Sequence, residues 1–92
     1  MLIEFDPDKN TLNIAKHGLA LADAARFEWD SAMIWIDRRE DYGEDRQIAL
    51  GFIDPNLCYM VFVELEDAYR IISLRKATNQ ESANYARNFN AS

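Results

Sequence analysis

Four segments, Ala32–Arg38, Arg46–Ile53, Leu57–Leu65 and Tyr69–Arg75, are rich in Ile, Val, Phe, Tyr and Trp, with only short gaps between them. The separators are Glu40-Asp41-Tyr42-Gly43-Glu44, Asp54-Pro55-Asn56 and Glu66-Asp67. Gaps this short join antiparallel hairpins; parallel neighbours need a crossover of about a dozen residues. The chain is therefore expected to build an antiparallel meander. Ile48, Leu50 and Phe52 share a face of the second segment. Leu57–Leu65 is apolar on both faces, as in a central strand covered twice. In the last segment strict alternation puts Ile72 and Leu74 on one face and Tyr69, Ile71, Ser73 and Arg75 on the other.

Helical signals flank this region. Leu2-Ile3-Glu4-Phe5 reads as a short strand, and Asp6-Pro7-Asp8 as a capped helix start. A first helix is expected from Asp8 to His17, stopped by Gly18, which tolerates a left-handed backbone. A second short helix, Leu21 to Glu28, aligns Leu21, Ala24 and Ala25 with Phe27 beside them. After the last strand, Thr78 and Glu81 have the spacing of a capping box. The helix that follows carries Tyr85, Ala86 and Phe89 on one stripe. The fold class is thus α+β: a small antiparallel sheet with two helices before it and one after, in one domain spanning residues 1–92.

The chain has 92 residues, 49% of them hydrophobic and 28% charged, the composition of a globular domain. No apolar run reaches the ~18 residues of a membrane span. With no signal-type start and a lone Cys58 inside an apolar run, the expected location is the cytoplasm and Cys58 is read as core. The net charge of −6 opposes non-specific nucleic-acid binding. The charge is uneven, however. Acids crowd Asp23–Asp45, whereas after Ala68 the bases Arg70, Arg75, Lys76 and Arg87 face Glu81 alone.

Several pieces of the chain together resemble the BrnT family, the toxin half of a type II toxin–antitoxin pair. They are Phe5-Asp6-Pro7-Asp8-Lys9, Asn13, Lys16-His17-Gly18, Asp30, Gly43-Glu44-Asp45-Arg46, and Arg70 through Thr78. The resemblance implies a fold like that of RelE toxins and a cofactor-free endoribonuclease that inhibits translation. It further implies neutralisation by a cognate antitoxin, a BrnA-like ribbon-helix-helix protein, through which alone operator DNA would be contacted. Two positions depart from the family: Asn79-Gln80-Glu81-Ser82-Ala83-Asn84 is nearly neutral where arginines are usual, and Ala20 stands where a capping serine is common.

RNA cleavage by the ribose 2′-hydroxyl needs a base, an acid and cations for the charge of the transition state. Arg75 ends a strand and is the first choice for charge stabilisation, because a guanidinium fork fits phosphate oxygens. Arg46 and Lys76 are the supporting cations; each has the alternative of pairing with a nearby acid or solvating a turn. His17, the one histidine, is expected at a helix C-terminus among acids, which favours the imidazolium and hence a general acid. Its alternative is to cap terminal carbonyls. The base is unassigned, with Glu44 available. One histidine and one cysteine do not build a typical zinc site, and no metal or cofactor is expected. Asp37–Asp45 reads as a solvated loop, and Trp29 and Trp35 as core. The antitoxin is expected to bind partly through the apolar surface around the sheet and partly through acids such as Asp37, Glu40 and Asp41. The rival function is an inactive toxin-like module whose remaining role is to bind an antitoxin-like partner.

Overall fold

The structure, a computed structural model, describes residues 2–90. Its elements are β1 (Ile3–Glu4), α1 (Pro7–His17), a 3-10 helix (Leu21–Arg26), β2 (Met33–Ile36), β3 (Arg46–Ile53), β4 (Asn56–Glu64), β5 (Tyr69–Lys76) and α2 (Asn79–Asn90). The strands lie in the order β1-β5-β4-β3-β2. β2 to β5 form the antiparallel meander expected from the short gaps, and β1 adds a parallel edge to β5. That parallel pair needs a long connection, and the whole of the helical region and meander supplies it.

Local chemistry explains the helix ends. Asp6 accepts from the Asp8 amide at 2.8 Å, Pro7 occupies the first turn, and Gly18 closes α1 at φ 73° with its N–H on the Ile14 carbonyl. The second helical segment is not an α-helix. Ala20 has no side chain to cap it, and its bonds run three residues apart, from the Asp23 amide to Ala20 and from the Phe27 amide to Ala24. Three residues per turn put Leu21, Ala24 and Phe27 in one buried line, while Ala25 faces solvent. The Thr78 capping box forms in both directions, at 2.9 and 3.1 Å.

Two apolar clusters lie on the two faces of the sheet. One packs Leu21, Ala24 and Phe27 against Ala49, Met60, Phe62, Ile71 and Leu74, with Cys58 buried among them. The other gathers Ile48, Leu50, Tyr59 and Val61, joined by Met33, Ile72 and Tyr85. β4 is buried on both faces from Cys58 to Val63, as its composition required. Gly51 is needed for close approach, since a Cβ there would meet the Phe27 ring at 2.7 Å. Trp29 packs between Phe27, Phe62 and Tyr69. The α2 stripe differs from expectation: Glu81, Asn84 and Tyr85 turn towards the sheet, Ala86 faces solvent, and the Phe89 side chain lies outside the described residues. Tyr85 donates its hydroxyl to the Ser31 carbonyl at 2.7 Å and meets Phe52 edge-on.

Candidate active site

Strand β5 does not alternate cleanly. Val61 pairs with Ser73 and the next residue, Phe62, pairs with Ile71, so Ile72 is an extra residue. This β-bulge restarts the alternation. Ile71 and Leu74 therefore enter the same core, whereas Arg70, Ser73 and Arg75 join Val61 and Tyr59 on the opposite face with Ile72. The expected pairing of Ile72 with Leu74 is wrong for that reason. The bulge aims Ser73 and Arg75 at the face that the N-terminal helices leave uncovered.

β1 covers the outer edge of β5 only at Tyr69 and Arg70. Farther along, α1 takes over that edge through Asn13, which is buried. Its amide donates to the Leu74 carbonyl at 2.8 Å and the Leu19 carbonyl at 2.7 Å, and accepts from the Leu74 N–H at 3.1 Å. A side chain here replaces the missing strand partner. Docking α1 in this way forms a hollow of about 180 Å³ lined by Lys9, Leu12, Asn13, Lys16, His17, Ile72 and Ser73. A larger hollow of about 610 Å³ shares Lys9 and Ile72 with it and continues to Arg70 and Glu44. Together they make a groove along β5.

His17 is half-buried in this groove and its ring makes no hydrogen bond among the described residues. Burial pushes its pKa below the usual histidine value, and the charges of Lys16 and Arg75 push the same way. The expected acids are not around it. Its surroundings are cationic, and at neutral pH the ring is a neutral imidazole, suited to accepting a proton.

Arg75 is held in a built site. Its Nη1 and Nη2 reach the two carboxylate oxygens of Glu81 at 2.8 and 2.9 Å, Nη1 also donates to the Lys76 carbonyl, and the guanidinium lies 4.1 Å from the Tyr59 ring centroid. Nε–H and one hydrogen on Nη2 carry none of these bonds, so a side-on fork remains for an oxyanion. Glu81 holds its carboxyl below the usual range chiefly through this bond to Arg75. The sequence showed the capping role of Glu81 but not that the same carboxylate would orient Arg75.

The other expected cations are dispersed. Arg46 sits on the same face as Arg75, but Arg75 is level with Tyr59 and Leu50, about 13 Å along the strands from Arg46. Its Nε bonds Glu44 at 3.0 Å and its guanidinium stacks on Tyr42. Lys76 pairs with Cys58 and projects from the opposite face, away from Arg75. Arg39 was not anticipated. Its charge acts on both Tyr59 and Arg75, and it is fixed by two bonds to Asp37 at 2.7 and 2.8 Å. Asp37 itself is buried, takes further bonds from the Arg39 amide and the Tyr42 hydroxyl, and is held well below the usual carboxylate range, chiefly by the Arg39 side chain. It is therefore neither a solvated loop acid nor a surface for a partner. Turning inward, it also ends β2 at Ile36, short of the expected Arg38. Trp35 is not core either: it is 38% exposed and meets Tyr59 edge-on. Among the described residues no three His, Cys, Asp or Glu side chains gather as metal ligands.

Residues 5–81 match the family described as the ribonuclease toxin BrnT of type II toxin–antitoxin systems. The chain belongs to the BrnT family. The fold agrees: a crystal structure of the Brucella abortus ribonuclease toxin BrnT superposes with a TM-score of 0.69 at 30% identity, covering 86% of this chain and 99% of that one. No curated protein matches the sequence. As a type II toxin family, BrnT implies a protein antitoxin as partner. Among the described residues no helix is long and apolar enough to cross a membrane.

Proposed function

We propose that this chain cleaves RNA at the groove along β5, by attack of a ribose 2′-hydroxyl on the adjacent phosphate. The observation that carries the reading is the meeting of His17, Lys16 and Ser73 in one hollow where α1 docks on the bulge, with Arg75 two residues beyond Ser73 on the same strand face and its charge acting on His17. In this scheme His17 accepts the 2′-hydroxyl proton as the 2′-oxygen bonds to phosphorus; the P–O5′ bond breaks, and the leaving 5′-oxygen takes a proton from water. The free edge of Arg75 and the Lys16 ammonium bind the non-bridging phosphate oxygens as charge builds there. Glu81 and Tyr59 position Arg75 rather than touch RNA at the scissile phosphate. Arg46 lies about 13 Å along the strands from Arg75 and Lys76 projects from the opposite face, so neither shares that phosphate. The chemistry as drawn calls on no metal, and the same reading takes the chain to be a RelE-like toxin that inhibits translation by cutting RNA.

Antitoxin binding is assigned to β2, the free edge of the sheet. The Asp37 amide bonds the Arg46 carbonyl, so by alternation Ile34 and Ile36 direct their main-chain groups outward. Their side chains are 46% and 51% exposed. With Glu40 and Asp41 exposed nearby, this edge suits an apolar strand carrying basic residues.

The test is incubation of the purified protein with RNA in excess chelator. Products ending in 2′,3′-cyclic phosphate are expected. Intact RNA would favour the second reading, an inactive antitoxin-binding module, which draws on the engagement of Arg46 and Arg75 by Glu44 and Glu81.

A further inference from the structure

Between the sheet and α2 lies a separate pocket of about 480 Å³. Its floor is apolar, from Met33 and Leu50. Two aromatic rings, Trp35 and Tyr59, stand on it at 71° to each other. The opposite wall is the first three turns of α2, where Gln80, Asn84 and Asn88 recur every fourth residue and so lie along one helix face. The wall is therefore uncharged apart from Glu81, whose carboxylate is consumed by Arg75 and the Thr78 amide.

An apolar floor with an exposed indole on one side and carboxamides on the other suits the chemistry of an unstacked nucleobase. Aromatic rings stack on any base. Asn84 Oδ1 accepts from Arg87 and Asn88 Nδ2 donates to the Asn84 carbonyl, so among the described residues of the wall it is the Gln80 carboxamide that keeps a donor and an acceptor together, the pattern that pairs with adenine. A free phosphate fits poorly, because no uncommitted cation lines the pocket. Arg75 links the two sites: Tyr59, under its guanidinium, and Glu81, bonded to it, both line this pocket, while its charge acts on His17.

We propose that this pocket holds one base of the RNA, adenine in preference to the others, next to the phosphate bound by Arg75. It sets which sequences are cut. The proposal deepens the ribonuclease reading, but binding can be measured without cleavage. Adenosine monophosphate should shift the Trp35 indole N–H resonance at millimolar concentration, whereas ribose 5-phosphate should leave it unmoved. Trp35→Leu and Gln80→Leu, both at exposed positions, should each weaken nucleotide binding about tenfold and flatten the base preference of RNA cleavage. No shift with the nucleotide, or an equal shift with ribose 5-phosphate, would overturn the pocket. So would RNA cleavage with an unchanged base preference in both variants, which would leave the ribonuclease reading intact. Nucleotide binding with the stated dependence on Trp35 and Gln80, but without RNA cleavage, would uphold the pocket and remove the ribonuclease reading.

Discussion

Arg75→Ala is expected to lower the rate of RNA cleavage by roughly 10²–10³, the loss of about 3–4 kcal/mol of transition-state stabilisation from one charged donor. Arg75→Lys should restore only part of it. An ammonium keeps the charge but has no planar fork to hold Glu81 end-on and an oxyanion side-on at once. Stability should fall as well. The side chain is 29% exposed and its partner Glu81 22%, so the pair is screened in part and its loss, with the Tyr59 stacking, costs about 1–2 kcal/mol. The two effects separate experimentally. Glu81→Gln breaks the ion pair and disturbs the cap while leaving the guanidinium in place, so it should reproduce the stability loss with a smaller kinetic defect. Cleavage rates and urea unfolding of the three variants test this together. Full activity in Arg75→Ala would remove the residue from the site.

Asn13→Ala should be the most destabilising single change in the helical half of the molecule. It leaves the Leu74 N–H, the Leu74 carbonyl and the Leu19 carbonyl without partners at a buried position. Each orphaned group costs about 1–3 kcal/mol before water relieves it, so a net loss of about 3–4 kcal/mol is expected. Asn13→Asp should not rescue the fold, because a carboxylate can accept from Leu74 N–H but cannot donate to either carbonyl. Urea denaturation measures the effect, and a loss below about 1 kcal/mol would contradict the clamp. Because Asn13 docks α1 on β5, the same variants should also lose activity under conditions where they remain folded.

The meander was legible because its evidence is local. Gap lengths, alternation in Arg46–Ile53 and the apolar run in Leu57–Leu65 each depend on neighbouring residues, and so do the Gly18 and Thr78 caps. What escaped was set by tertiary contacts. The bulge at Ile72 leaves no mark in composition, yet it decides which face carries Ser73 and Arg75. Asp37 looked like one more acid in an acidic run, since nothing local signals that it turns inward to bind Arg39 and Tyr42. His17 was placed correctly at the end of α1, but its charge state was read from nearby acids in sequence rather than from Lys16 and Arg75 in space. Arg46, Lys76 and Arg75 looked alike as strand-end cations; only the register separates their faces and levels.

The pH dependence of RNA cleavage in excess chelator tests the central claim most directly. A general base works in its unprotonated form, and His17 is held below the ordinary histidine value of about 6.5 by burial, Lys16 and Arg75. Cleavage should therefore rise with pH through a midpoint below that value and be level by neutral pH. His17→Gln should lose most of the rate and the acidic limb with it. A wild-type midpoint above the ordinary value, or the same acidic limb in His17→Gln, would contradict the assignment of His17 as the base.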